Sequence, residues 1–145
     1  MSLDDLLFLT ATDTTVGFVS RSSRRLDRAK RRPPSKHYIR VYPSLTAVVR
    51  NHRVPAAHRR RVRLSNRKSF ILPDGFSFRI IRDSRHLLLI RRLGWAYSSS
   101  ANLSGAPYDE SYARTAADIV VEPLGTPASP SRILRLGKRR LRKIR

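Results

Sequence analysis

The sequence predicts a mixed α/β fold, because segments with the patterns of strands alternate with segments with the patterns of helices along the chain. Its 145 residues suit one domain of ordinary size, spanning 1–145. Hydrophobic residues make up 40% of the chain, enough to build a core. Since the sequence shows neither an internal repeat nor a domain boundary, we expect one α/β domain with a mixed sheet.

The strands are predicted by short runs of β-branched and aromatic residues between turn residues. They cover residues 6–10, 17–19, 38–42, 69–72, 76–81, 95–98, 118–121, 133–136 and 141–144. Pro73-Asp74-Gly75 is expected to close a hairpin, and so is Gly137-Lys138 between the last two strands. The first strand and the strand over 118–121 are expected to be buried.

The helices are predicted where apolar residues recur at helical spacing after a capping residue. They cover residues 22–31, 43–51, 55–64, 84–93 and 109–117. In the first helix, Leu26 and Ala29 are expected to face the core. In the fourth, Leu87, Leu88 and Ile90 are expected to do so.

Charge dominates the composition. Lysines and arginines number 31 against 10 acidic residues, which gives a net charge of +21. Such a chain attracts polyanions, but charge alone does not choose among tRNA, ribosomal RNA, DNA and an anionic membrane, and it also fits a domain with a generally basic surface. The sequence has no cysteine, no visible targeting segment and no apolar run of about 20 residues, so we expect a cytoplasmic protein without a membrane span.

Three segments carry hydroxyl, amide or cationic side chains suited to small polar ligands. The first, residues 12–17, follows the first strand, at a position where ligands bind in open α/β sheets. The second, residues 30–36, is a cationic stretch stiffened by prolines. The third, residues 98–105, is rich in serine and can form an anion nest. Each has a plainer alternative: a self-satisfied turn, a solvated charge run and a flexible linker.

Five segments stand in the following order along the chain: Thr12-Asp13-Thr14, Lys30-x-Arg32-Pro33-x-x-Lys36, Phe78-Arg79-Ile80, Ser98-Ser99-Ser100-Ala101-Asn102-Leu103-Ser104-Gly105 and Pro130-Ser131-Arg132-Ile133. In this order they resemble the motifs of the YrdC-type (YrdC/YciO-like) threonylcarbamoyl-adenylate synthase family, as a short variant. The resemblance spans most of the chain, and the serine-rich loop is its most specific part.

The resemblance implies a fold and a reaction. The fold is a twisted mixed sheet with flanking helices around a deep, positively charged cavity. The reaction makes threonylcarbamoyl-AMP and pyrophosphate from L-threonine, bicarbonate and ATP, and it needs no protein nucleophile. Mg²⁺ is expected to accompany ATP. A threonylcarbamoyl-transferase complex would then modify an adenosine of tRNA.

The resemblance also implies roles for single residues. Thr14 and Ser98 would contact threonine. The nucleotide would be bound by Arg32, Lys36, Ser69, Arg79, Ser100, Asn102 and Ser131. No metal-ligating residue is expected, because the four histidines have no metal-like spacing and no cluster of acids accompanies them.

The chain departs from the family pattern at several positions. Ser65-Asn66-Arg67 stands where the family has a Pro-Gly-Pro turn. Val16 replaces an aromatic residue, and His37 replaces a small or apolar one. The chain is also shorter than typical members, so we expect weak or partner-dependent activity.

The basic tail, residues 138–145, predicts RNA binding through Arg139, Arg140, Arg142 and Lys143. It forms either a strand or a frayed arm, and its partner would be tRNA or double-stranded RNA. The alternative function is a non-catalytic RNA-binding module of the same fold. A ribosomal or ribosome-assembly protein is a third class, which the charge alone suggests.

Overall fold

One mixed sheet runs through the protein. The structure is a computed structural model that describes residues 2–34, 37–125 and 130–145. Within these ranges the strands are β1 (Phe8–Ala11), β2 (Val16–Ser20), β3 (Ile39–Tyr42), β4 (Lys68–Ile71), β5 (Ser77–Ile80), β6 (Ala96–Ser100), β7 (Ile119–Val121), β8 (Arg132–Leu136) and β9 (Leu141–Lys143). The predicted α/β class is therefore confirmed.

The helices begin at capping residues that the sequence provides. They are α1 (Ser23–Lys30), α2 (Leu45–Val49), α3 (Arg59–Leu64), α4 (Ser84–Leu93) and α5 (Glu110–Ala116), with short 3-10 turns at Leu3–Asp5 and Ala56–His58. The side chains of Ser22, Asp83 and Asp109 accept backbone N–H groups at the starts of α1, α4 and α5. Gly94 ends α4 with a positive φ of 85°. Every helix in the described ranges is too short or too polar to cross a bilayer.

The strand order is β7-β1-β2-β6-β3-β5-β4-β8-β9. β7 pairs with β1, β3 with β5 and β4 with β8 in parallel, and the other neighbours are antiparallel. Because β6 is inserted between β2 and β3, the end of the first hairpin comes to lie beside the serine-rich segment. This order places the motifs at the centre of the sheet.

The two faces of the sheet pack against different helices. On one face α4 covers β1, β2, β3 and β6 through Ile90 and Leu93. On the other face α1 and α5 cover β1 and β2 through Leu26 and Ala113. On that same face α2 and α3 cover β4, β5 and β8. The middle of this second face, over β3 and β6, lies between two separate apolar clusters.

Two expectations about burial are wrong. Leu88 is 69% exposed, because the inward stripe of α4 consists of His86, Ile90 and Leu93, and Leu88 lies on the opposite side of that helix. The strand over 118–121 is also not buried. It forms β7 at the edge of the sheet, where Ile119 is 38% exposed. The basic tail forms β9, which pairs with β8 as the predicted hairpin.

Candidate functional site: a hydroxyl-lined cavity at Arg79

The turn between β1 and β2 is held by its own threonines. The Thr12 hydroxyl accepts the N–H groups of Thr14 and Thr15 at 3.2 and 3.1 Å, and it lies 3.3 Å from the Thr14 hydroxyl. The self-satisfied turn of the plainer interpretation is therefore present. Gly17 lets this turn approach β6, because a Cβ atom there would lie 2.9 Å from the Ser99 carbonyl oxygen.

A buried lysine anchors the serine-rich segment. Lys30 Nζ donates to the carbonyl oxygens of Ser100 and Asn102, both at 2.9 Å. Burial, with the Arg32 cation nearby, lowers the pKa of Lys30 to about 8. The Asn102 side-chain amide donates to the carbonyls of Leu103 and Ala106. These contacts tie the segment to the end of α1, as expected for a built loop and not for a flexible linker.

Arg79 on β5 connects three parts of the chain. Its Nε lies 3.2 Å from Asp13 Oδ1, and only 6% and 2% of the Arg79 and Asp13 side chains are exposed. Its Nη1 donates to the Ser69 hydroxyl at 3.3 Å and to the Ser131 hydroxyl at 3.5 Å, and these hydroxyls lie 2.7 Å apart. Burial raises the pKa of Asp13, and the attraction of Arg79 opposes that rise.

These elements surround a cavity of about 190 Å³. Its walls come from the Thr12–Thr15 turn, from β6, from the start of β3 and from the residues before β8. The lining residues are Thr12, Thr14, Thr15, Ile39, Arg79, Ser98, Ser99, Ser100, Pro130, Ser131 and Arg145. The sequence-predicted Thr14, Arg79, Ser98, Ser100 and Ser131 thus meet at one cavity, although they are widely separated in the sequence.

Arg145 is a second cation at this cavity, and the sequence did not indicate it. Its Nε donates to the Ser131 carbonyl oxygen at 3.0 Å. Burial lowers the pKa of Arg79, Asp13 opposes this, and the nearby Arg145 cation adds to it. The only signal in the sequence was membership of the basic tail, which suggested an RNA contact for that whole segment.

A buried histidine lies close to the same charges. His86, in the first turn of α4, is 2% exposed, and neither ring nitrogen has a hydrogen-bond partner. Burial lowers the pKa of His86 to about 4, and the Arg79 cation adds to that effect while Asp83 opposes it. His86 is therefore neutral near pH 7, and it adds no charge beside the pair formed by Asp13 and Arg79.

Three of the predicted nucleotide-binding residues, Ser69, Asn102 and Arg32, do not line this cavity. Ser69 lies behind it, fully buried against Ser131 and Arg79. Asn102 supports the loop through the contacts given above. Arg32 lies over the Tyr38 ring, with its Cζ 4.2 Å from the ring centroid, and it donates to the His37 carbonyl at 2.9 Å. Lys36 falls outside the described residues.

The predicted RNA-binding residues are all exposed on the β8–β9 hairpin. Arg139 and Arg140 lie in its turn, and Arg142 and Lys143 lie in β9. Arg142 is directly opposite Arg135 in the antiparallel register. Two like charges in this position destabilise a strand pair unless an anion compensates them.

The side chains of the described residues are poorly suited to hold Mg²⁺. No group of three histidine, cysteine or acidic side chains comes together within residues 2–34, 37–125 and 130–145. Asp13, the acid of the first motif, directs its carboxylate at Arg79. A protein-held Mg²⁺ site is therefore not supported by these residues.

Comparison with known proteins identifies the fold. No protein-family model and no curated protein sequence matches the chain. Solved structures do match. P. abyssi Sua5 complexed with L-threonine has a TM-score of 0.80 at 17% identity, over 97% of this chain and 50% of that one. E. coli YciO has a TM-score of 0.74 at 14% identity, over 97% of this chain and 82% of that one. Full-length HypF in a phosphate- and nucleotide-bound form has a TM-score of 0.75 at 16% identity, over 97% of this chain and 26% of that one.

The chain therefore has the YrdC/Sua5-type fold, and the resemblance inferred from the motifs is confirmed for the architecture. It spans about half the length of the Sua5 structures. The deep, positively charged form of the cavity stays a prediction.

Proposed function

We propose that the chain is a threonylcarbamoyl-adenylate synthase, which forms threonylcarbamoyl-AMP and pyrophosphate from L-threonine, bicarbonate and ATP. The observation that carries the proposal is the joint lining of one small cavity by the Thr14, Ser98 and Ser131 side chains and two guanidinium groups. The fold shared with the L-threonine complex of P. abyssi Sua5 supports it.

The charges favour an anionic ligand. Arg79 and Arg145 border the same cavity, while only one of them is paired with Asp13. An anion between these cations would relieve their repulsion, and a guanidinium group can bind a carboxylate or phosphate with two parallel hydrogen bonds. The threonine carboxylate and the phosphates of ATP are such anions.

The size of the cavity favours threonine as its occupant. About 190 Å³ is below the roughly 300–1,000 Å³ of pockets for drug-sized ligands. Thr14 and Ser98 would contact threonine, and Ser100 and Ser131 would face the incoming nucleotide. ATP would extend beyond this cavity towards Arg32, and Lys36 stays a predicted nucleotide-binding residue.

The chemistry requires positioning more than a reactive side chain. The threonine amine attacks bicarbonate and a carbamate forms with loss of water. The carbamate oxygen then attacks the α-phosphorus of ATP, and the bond to pyrophosphate breaks. The cations would stabilise charge on the phosphates. No cluster of acidic side chains that could hold Mg²⁺ occurs among the described residues. ATP would therefore bind as its magnesium complex, in which the metal belongs to the substrate.

The test is pyrophosphate release from magnesium-ATP, with threonine and bicarbonate each omitted in turn. Synthase activity requires release that depends on all three substrates and falls at least about 10-fold in Ser98→Ala, a variant whose circular dichroism should match that of the wild type. Thr115→Val, a substitution of an exposed residue on α5, should leave the rate unchanged. The same assay with the partner transferase complex distinguishes partner-dependent activity from none, and the absence of release in both would refute the proposal.

An RNA-binding module of the same fold is the second candidate. The observation that favours it is the unfavourable pairing of Arg135 with Arg142, beside the exposed Arg139, Arg140 and Lys143. The two functions are compatible, because the hairpin would bring tRNA to a chain whose cavity makes the activated intermediate. tRNA affinity should fall steeply with salt.

Its test compares tRNA binding by the wild type and by Arg139→Ala/Arg140→Ala/Arg142→Ala. The triple variant should bind more weakly, with a smaller dependence on salt. Unchanged tRNA binding in this variant would rule out the hairpin as the RNA surface. tRNA binding without any pyrophosphate release would favour the module over the synthase.

A further inference from the structure

A second cleft lies on the other face of the sheet. In β3 and β6, Ile39 and Ser98 point to the face of the small cavity. Their neighbours Arg40 and Tyr97, which are paired in register, point to the opposite face. There they border a cleft of about 650 Å³, within the roughly 300–1,000 Å³ typical of ligand sites. We call it the aromatic cleft, with Tyr38, Arg40, His52, Phe76 and Tyr97 as its defining residues.

Flat aromatic surfaces remain partly open in the aromatic cleft. The His52 and Phe76 rings stack with centroids 3.5 Å apart and planes 4° from parallel. Tyr97 stands edge-on to Trp95, at 5.1 Å and 89°. His52, Phe76 and Tyr97 line the cleft and are only half-buried, whereas Trp95 packs against the core and contacts the Arg21 and Arg40 guanidinium groups. Half-buried aromatic rings grouped in a cleft are suited to stacking with a planar ligand.

Arg40 supplies a fixed cation among these rings. Its guanidinium carbon lies 4.3 Å from the Trp95 ring centroid and 5.2 Å from that of Tyr97. It also donates to the Tyr97 hydroxyl at 3.2 Å. A guanidinium group that neighbouring rings already orient loses little freedom when it binds a phosphate.

His52, which stacks on Phe76, does not add a second positive charge to the aromatic cleft. Burial lowers the pKa of His52, the Arg40 cation lowers it further, and Asp74 opposes both. His52 therefore contributes a neutral ring near pH 7. The aromatic cleft thus combines several stacking surfaces with one central positive charge.

Further arginine side chains lie beside one end of the aromatic cleft. A neighbouring depression shares Tyr97 with it and is lined by Arg21 and Arg24, together with Asp4 and Asp5. Arg21 lies 4.3 Å above the Trp95 ring, and its ion pair with Asp4 is long, at 3.9 Å. Because both guanidinium carbons lie 4.3 Å from the Trp95 ring centroid, neighbouring phosphates of one strand could each contact a cation, whereas AMP offers a single phosphate.

We infer that the aromatic cleft binds an unpaired segment of an RNA strand, with one base stacked on the rings and its flanking phosphates at Arg40 and Arg21. Base stacking on aromatic residues beside cations is the usual way in which single strands are bound. The net charge of +21 adds general attraction for the strand. The cleft and the cavity lie on opposite faces of the sheet, and they approach each other at Tyr38, whose ring is covered by the predicted nucleotide-binding residue Arg32. The inference itself does not depend on synthase activity.

The fluorescence of Trp95, the only tryptophan of the chain, provides the readout. A single-stranded oligoadenylate of about 10 nucleotides is titrated into the full chain, with AMP and a blunt RNA duplex as further probes. The inference predicts saturable quenching by the single strand, an affinity that falls steeply with salt, and at least about 10-fold weaker binding of AMP and of the duplex.

Two variants test the site, and a third is the matched control. Arg40→Lys keeps the charge but removes the flat guanidinium, and Tyr97→Leu removes a ring. Each should weaken oligoadenylate binding at least about 10-fold, with the fold checked by circular dichroism. Arg92→Ala removes one exposed charge from α4, on the opposite face, and should change the affinity less than about 2-fold.

Three results would overturn the inference. Equal affinity of both site variants and the wild type would place the strand elsewhere. Equal affinity for AMP and the oligoadenylate would identify a free nucleotide as the ligand, and equal affinity for the duplex would exclude recognition of an unpaired segment. Pyrophosphate release that persists in Tyr97→Leu would show that the cleft and the cavity are separate sites.

Discussion

Arg79 Nε lies 3.2 Å from Asp13 Oδ1 in an almost solvent-free environment, and this pair joins the turn after β1 to the centre of the sheet. The same guanidinium reaches the Ser69 and Ser131 hydroxyls. The pair therefore positions the turn with Thr14 relative to the residues that precede β8. The candidate site depends on it for shape as well as for charge.

The first prediction concerns this ion pair. Asp13→Asn should lower the free energy of unfolding by about 3–5 kcal/mol, because it leaves a buried guanidinium without its counter-charge. Arg79→Met should be similarly destabilising. The double variant should be more stable than the sum of the two losses predicts, as urea unfolding can measure. Additive losses would mean that the two side chains are not energetically coupled.

Lys30 is predicted to hold the serine-rich loop in place. In Lys30→Met the donors to Ser100 and Asn102 are lost, so backbone N–H groups such as that of Ala106 should exchange with solvent faster. Hydrogen exchange followed by mass spectrometry measures this, with β8 and β9 as internal references. Arg28→Met, on the exposed side of α1, is the control. Equal protection of the loop in both variants would contradict the anchoring role.

His86 should make the protein sensitive to acid. Its pKa is about 4 when folded, against an ordinary 6.5. Between these values the unfolded chain binds a proton that the folded chain does not, so stability should fall as the pH drops from 6.5 to 4, by up to about 3 kcal/mol. Charges facing the ring are Arg79 and Asp83. Urea unfolding of His86→Leu at pH 7 and pH 4.5 should show a smaller loss than the wild type. An equal loss would assign the acid sensitivity to other groups.

The orientation of α4 gives a matched pair of variants. Leu88→Lys should change the free energy of unfolding by less than about 0.5 kcal/mol, because the side chain is exposed. Ile90→Ala should cost about 2–5 kcal/mol, because the side chain is fully buried. Thermal and urea unfolding of both variants check this. The reverse order would mean that the inward face of the helix has been misassigned.

The local structure was largely predictable from the sequence. The helix over 84–93 and the hairpin at Pro73-Asp74-Gly75 follow from caps, glycine and the alternation of apolar residues, which depend on near neighbours in the chain. The motif residues Thr14, Ser98 and Arg79 were expected at one site, and they line one cavity.

What the sequence did not predict depends on contacts between distant segments. Leu88 fits a helical apolar stripe equally well, and only the position of the sheet shows that it faces solvent. Asp13 has the pattern of an ordinary turn acid, because nothing near it in the chain indicates Arg79. Arg145 and the aromatic cleft likewise arise from the strand order, in which β6 lies between β2 and β3.

The central claim, that the cavity beside Arg79 is a threonine site, is tested most directly by calorimetric titration of the chain with L-threonine. We predict saturable binding that is stronger for L-threonine than for D-threonine. Affinity should fall at least about 10-fold in Thr14→Val and in Ser98→Ala, and stay unchanged in the control Thr115→Val. No heat of binding from the wild type, or equal affinity in all three variants, would contradict the assignment of the site.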